Sequence, residues 1–143
     1  MPNRPKDPFT NFRFLVEIEG VQRGGFARVK GMGREIKLDT YREGGLNDYE
    51  HKLLNQVTYG NIILERGLVD DYMWSWHDRT VDGDIERRRL TIVLRDAQES
   101  EVWRWLVDGA IPVKWSGSDL DAGSAAVLVE SIELAHRGFR KGN

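Results

Sequence analysis

A chain of 143 residues and 16.5 kDa has the length of one domain and can enclose a single sizeable core. Its 40% hydrophobic and 31% charged residues exclude a disordered chain, and a net charge of -2 gives no overall attraction to nucleic acid or anionic membrane. The absence of cysteine excludes disulfides and thiolate metal sites.

The opening, Met1 to Thr10, is polar and carries Pro2, Pro5 and Pro8. No apolar run follows its basic residues, so it does not read as a signal peptide, and residues 1–8 are expected to be flexible. No stretch approaches the roughly 18 consecutive apolar residues of a membrane helix. From Asn11 to Glu19 the pattern has a period of two. Phe12, Phe14, Val16 and Ile18 share one face, and Asn11, Arg13, Glu17 and Glu19 share the other, with Leu15 as the exception. That is a half-buried strand. Gly20 and Gly24-Gly25 read as a turn, and Phe26 to Lys30 as the returning strand. Gly31-Met32-Gly33 breaks it. Alternation resumes over Glu35 to Glu43, and Gly44, Gly45, Asn47 and Asp48 make a polar tip. Further strands are expected around Val57 to Tyr59 and from Asn61 to Arg66.

Over Gly67 to Val81 the period changes. Val69, Met73, Trp76 and Thr80 fall on one face of a helix, with Asp70 or Asp71 as its cap and Asp82-Gly83-Asp84 as its end. Arg88 to Arg95 alternates as a strand. Glu101 to Val107 reads as another, with Asp108-Gly109 as a tight hairpin turn into Ile111 to Trp115. Ser116 to Ser124 is loop-like, and Ala126 to His136 is a closing strand. The result is a single, mainly β domain: an antiparallel barrel or two packed sheets, with one short α-helix and an extended β-hairpin.

A search for chemistry finds no catalytic, cofactor-binding or metal-binding set. His51, His77 and His136 lie on separate elements, and the spacing His-x-x-x-His is missing. Asp70-Asp71 and Asp82-x-Asp84 bracket the helix, where capping explains them. Gly31-Met32-Gly33 lacks the third glycine, the lysine and the following helix of a phosphate loop. The basic run Glu86-Arg87-Arg88-Arg89 reads as a solvated edge or an interface. Most of the five tryptophans are expected in the core.

Six segments carry a resemblance. Asp7-Pro8-Phe9-Thr10-Asn11-Phe12-Arg13-Phe14-Leu15-Val16-Glu17-Ile18-Glu19-Gly20 resembles the opening of phage tail tube proteins of contractile tails. Tyr41-Arg42-Glu43-Gly44-Gly45 resembles that family's Y-R-E-G-G, and Leu64-Glu65-Arg66-Gly67 its L-x-R-G. Trp74-Ser75-Trp76 resembles its tryptophan-bearing helix, and Pro112-Val113-Lys114-Trp115 its P-x-K-W. Glu130 to Gly138 resembles its E-x-[IL]-E-L-x-H-x-G. The segments run in family order from Asp7 to Gly138. The departure is at Asn55, where the family has a proline-glycine turn.

The resemblance implies one tail-tube domain over 1–143, with flexible ends at 1–8 and 139–143. It implies a structural, non-enzymatic subunit of the inner tube of a contractile tail or extracellular contractile injection system. Such subunits form hexameric rings, stacked into a tube whose lumen takes DNA or protein cargo. The implied partners are further copies, a sheath outside, an initiator or baseplate with a spike hub, a terminator or cap, and a cargo or tape-measure protein. No cofactor, sequence-specific nucleic acid or membrane segment is implied. Assembly is expected in the bacterial cytoplasm, as part of a phage tail or a released particle. The polar tip is expected to reach the adjacent ring through Tyr41, Arg42, Glu43, Gly44, Gly45 and Asn47. The first strand is expected to turn Arg13, Glu17 and Glu19 toward the lumen, because its pleat opposes them to the core. A tube-initiator or adapter ring is the alternative role, and a small-molecule-binding barrel or enzyme is the alternative class.

Overall fold

The computed structural model describes residues 9, 11–41, 51–117 and 127–143. In chain order the elements are β1 (Phe14–Ile18), β2 (Val21–Lys30), β3 (Arg34–Tyr41), β4 (His51–Tyr59), β5 (Ile62–Val69), α1 (Asp71–Val81), β6 (Arg88–Arg95), β7 (Glu101–Gly117), β8 (Val127–Ala135) and β9 (Gly138–Lys141). β1, β2, β5, β8, β7 and β6 pair in that order, and β6 pairs back with β7, which closes a six-stranded antiparallel barrel. Closure leaves these strands no open edge. β9 adds to the side of β7, and β3 and β4 form a separate two-stranded sheet.

The alternating apolar positions fill the barrel. Val16, Ile18, Phe26, Leu64, Leu90, Ile92, Ile132 and Leu134 are each 0–1% exposed. Full burial of one such side chain stabilises by about 1.5–3 kcal/mol. α1 adds to this core. Asp70 caps the helix, its Oδ1 accepting from the Met73 N–H at 3.1 Å. Met73 and Trp76 on its inner face join the barrel core, and Trp76 Nε1 donates to the Glu86 carbonyl at 2.7 Å. Asp82 closes the C-terminus as expected.

Five expectations change. Gly24-Gly25 is not a turn, because β2 begins at Val21 and the turn is Glu19-Gly20. The glycines serve packing: a Cβ on Gly25 would stand 2.9 Å from the Phe12 ring. The helix starts at Asp71, not Gly67, since residues 67–69 continue β5 opposite β2 and β8. Asp108-Gly109 makes no hairpin. β7 runs unbroken from Glu101 to Gly117, its first half on β6 and its second on β8, and Gly109 at φ +60 lies where the strand changes neighbours. A left-handed residue inside a strand imitates a turn in sequence. Residues 139–143 include most of β9, which pairs with Trp105–Asp108, where a flexible end was expected. Among the tryptophans only Trp76 is fully buried; Trp105 and Trp115 pack partly against the core, and Trp74 and Trp103 are each 40% exposed.

Candidate assembly surface

β3 and β4 are the outward continuation of β2 and β5. Lys30 faces Ile63 in the barrel and Arg34 faces Tyr59 beyond it, so three residues separate these pairs on either strand and the register is kept. The break between them is glycine-rich, with Gly31, Gly33 and Gly60. At Gly31, φ is +79 and an added Cβ would overlap the Asn61 carbonyl oxygen at 2.0 Å, so only glycine lets the two strands cross here.

The projecting ribbon is amphipathic. Ile36 faces Val57, and Leu38 follows on the same strand. These three large apolar residues are 54%, 47% and 48% exposed. Arg34, Ile36, Val57 and Tyr59 line one shallow groove. The pairs Glu35–Thr58 and Lys37–Gln56 make the polar side. A two-stranded ribbon alone is marginal in water. Its root is tied to β9: Arg34 Nη1 donates to the Phe139 carbonyl at 3.1 Å, and the Tyr59 ring meets the Phe139 ring edge-on at 5.6 Å. Of the expected inter-ring residues, Tyr41 ends β3, while Arg42, Glu43, Gly44, Gly45 and Asn47 lie outside the described residues.

Arg13, Glu17 and Glu19 are not brought together. Arg13 is exposed before β1. Glu17 is half-buried, with Arg104 at 4.0 Å. Glu19 is exposed in the β1–β2 turn at φ +54. The outer face of β1 is also not uniformly wet. Leu15 is 2% exposed and packs with Phe9 and Val93, and Arg95 Nη2 donates to the carbonyls of Phe9 and Phe12. A second, barer wall was not foreseen. The outer surface of β2, β5 and β8 carries Arg28, Lys30, Glu65, Arg66, Glu130 and Glu133. Lys30 Nζ meets Glu65 Oε1 at 2.9 Å and Asn61 Nδ2 donates to Glu133 at 2.9 Å. The Lys30 ammonium holds the Glu65 carboxyl below its ordinary range.

Two arginines of the basic run are locally neutralised, and Arg87 Nη1 donates to the Gly109 carbonyl at 2.9 Å. Arg88 meets Glu86 and lies 3.9 Å from Glu19, and Arg89 Nε donates to Asp108 at 2.8 Å. Among the described residues no group of His, Asp or Glu has the arrangement of a metal site.

A closed barrel that projects an amphipathic ribbon and presents a mixed-charge wall is an assembly module. Residues 10–140 match the T4-like virus tail tube protein gp19 family, and the chain belongs to that family of structural tube proteins. A chain in the six-fold symmetrised cryo-EM structure of the anti-feeding prophage baseplate is similar at 29% identity and TM-score 0.65, over 96% of this chain and 97% of that one. A chain of the PVC sheath-tube complex, an extracellular contractile injection system in its extended state, gives 23% identity and TM-score 0.68 over 96% and 93%. Hcp1 from Flavobacterium johnsoniae shares the fold at 15% identity and TM-score 0.53, over 92% and 95%. No protein with a curated description matches the chain.

Proposed function

We propose that this tail tube protein forms hexameric rings that stack into the inner tube of a contractile injection system, with the β3–β4 ribbon seated on a neighbouring copy. The carrying observation is the exposed apolar row Ile36, Leu38 and Val57 on a two-stranded sheet that pairs with no other strand among the described residues. A head-to-tail contact that closes makes a ring, and a further axial contact makes a filament. Six-fold symmetry in the baseplate relative supports the hexamer, and the sheath-tube relative supports a sheath outside the tube. Similar chains from a tube terminator and a tube cap support those partners at the tube's end. In this reading the tip, Tyr41, Arg42, Glu43, Gly44, Gly45 and Asn47, orders on the adjacent ring. The protein catalyses nothing, assembles in the cytoplasm beneath a spike hub, and leaves a lumen for DNA, a tape-measure protein or protein cargo.

For the lumen, the wall of β2, β5 and β8 is the better candidate than the face with Arg13, Glu17 and Glu19. Arg28, Lys30, Arg66 and Glu130 on that wall are exposed and Glu65 and Glu133 are half-buried, whereas the β1 face is partly covered by Phe9. A bore of balanced sign discourages cargo from adhering. An initiator ring is the second reading, favoured by the 29% identity to the baseplate chain.

Electron microscopy and light scattering test the proposal. The native chain should give six-fold rings and tubes. The double variant Ile36→Glu, Val57→Glu should keep the native circular dichroism and remain a monomer. A native chain that stays monomeric at all concentrations, or normal tubes from the variant, would overturn it. Single rings that never elongate would select the initiator.

A further inference from the structure

The His136-x-Gly138 end of the E-x-I-E-L-x-H-x-G segment has no role in the surfaces described so far. It ends on a kink. Ala135 faces Ile111 and Gly138 faces Asp108, so two residues separate these pairs on each strand. β8 and β9 are therefore one long strand beside β7, kinked at His136-Arg137, where the Arg137 N–H still donates to the Asp108 carbonyl at 2.8 Å.

His136 sits in that kink with both ring nitrogens engaged. Nδ1 lies 3.0 Å from the Gly138 amide nitrogen, and Nε2 lies 2.7 Å from the Gly60 carbonyl oxygen. An amide N–H can only donate and a carbonyl can only accept. The chemistry of the two partners therefore selects the neutral imidazole protonated on Nε2. Gly60 belongs to the glycine break where the ribbon leaves the barrel. The same kink presents Gly138 to Tyr59 of the ribbon root, where an added Cβ would stand 3.0 Å from the ring. The Tyr59 and His136 rings also meet edge-on at 5.6 Å.

We infer that His136 is the positioning residue of the ribbon: its Nε2–H bond to Gly60 sets the direction in which β3 and β4 leave the barrel. The break supplies little direction itself. Gly33 and Gly60 have no side chains, and the two-stranded sheet beyond them is separate from the barrel sheet. A hydrogen bond from the kinked barrel strand to the hinge backbone supplies what the ladder lacks. The Gly138 N–H orients the imidazole for that bond, and the φ of +138 with Tyr59 3.0 Å from an added Cβ accounts for the glycine two residues on. The consequence for assembly rests on the proposed seating of the ribbon on a neighbouring copy.

Two half-variants separate the two bonds. In His136→Gln the side-chain amide can still donate to Gly60 but leaves Gly138 without its acceptor. In His136→Asn the carbonyl oxygen can still accept from Gly138 but the amide cannot reach Gly60. The chain has no cysteine, so Lys37→Cys on the ribbon and Gln98→Cys in the β6–β7 turn can be spin-labelled without interference. Labelled chain diluted in unlabelled chain is then read by pulsed electron resonance. A narrow Lys37–Gln98 distance distribution is expected for native His136 and for His136→Gln, and a clearly broader one for His136→Asn. The concentration needed for tubes should rise about ten-fold for His136→Asn, as for one lost hydrogen bond, and stay near native for His136→Gln. Equal widths in all three proteins, or a broad distribution in His136→Gln, would overturn the inference. A broadened ribbon in His136→Asn with unchanged tube formation would uphold the latch and overturn the seating of the ribbon.

Discussion

Trp76 does two jobs that its position on an amphipathic stripe foretells only in part. The stripe turns it inward, and the fold puts the Glu86 carbonyl 2.7 Å from its Nε1. Trp76→Ala should therefore lower stability by about 3–5 kcal/mol in urea unfolding, the range for large core truncations. Trp103→Ala, at a site already 40% exposed, should cost far less in the same assay. Glu65 gives a pH test. Its bond to Lys30 lowers its carboxyl pKa on folding, so the paired state adds stability above the ordinary carboxylate range and loses it as pH falls through the lowered value. Carbon-detected titration of Glu65 should place its midpoint below that of a free glutamate. In Lys30→Met the midpoint should return upward.

At the scale of elements, Asp70 joins the helix to the barrel. Oδ1 caps α1 through Met73 while Oδ2 meets Arg23 Nη1 at 3.2 Å, and the Arg23 guanidinium lies 4.2 Å from the centre of the Tyr72 ring. Asp70→Ala removes cap and pair together and should cost about 1–2 kcal/mol, seen as a lower urea midpoint. Asp70→Asn keeps an acceptor for the cap and should recover most of that loss. The elements themselves were legible to different degrees. β6 matched Arg88–Arg95 because Leu90, Ile92 and Leu94 keep a period of two through the apolar Val93, and Asp70 was a visible cap. β5 was cut short at Arg66 because that residue, at φ +52, interrupts the alternation: Leu64 and Gly67 both face inward. A bulge breaks a period of two without ending the strand.

At the scale of the molecule, barrel and ribbon have opposite needs. The barrel is closed and has its own core; the ribbon leaves three large apolar side chains half-exposed. If copies cover that row, assembly binds only the folded state and the melting temperature must rise with protein concentration by mass action. Differential scanning fluorimetry over a hundred-fold concentration range should reveal that rise in the native chain. In Ile36→Glu, Val57→Glu the melting temperature should be independent of concentration. A flat native profile would mean that the ribbon stays uncovered in solution.

The sequence alone determined the class. Alternation over β1, β3 and β6, the helical stripe through Met73 and Trp76, and segments in family order led to a mainly β tube protein with one helix. Those signals are local: a pleat or a helical turn repeats within a few residues, and hydrophobicity records which side faces a core. Only the tertiary structure decided that β7 is one strand serving two neighbours, that residues 138–141 close its flank, and that Phe9 shelters the face opposite Phe14. It also decided the role of His136, whose partner Gly60 lies 76 residues away. Such choices depend on which backbone groups meet across the barrel, and a strand's own pattern does not encode its neighbour.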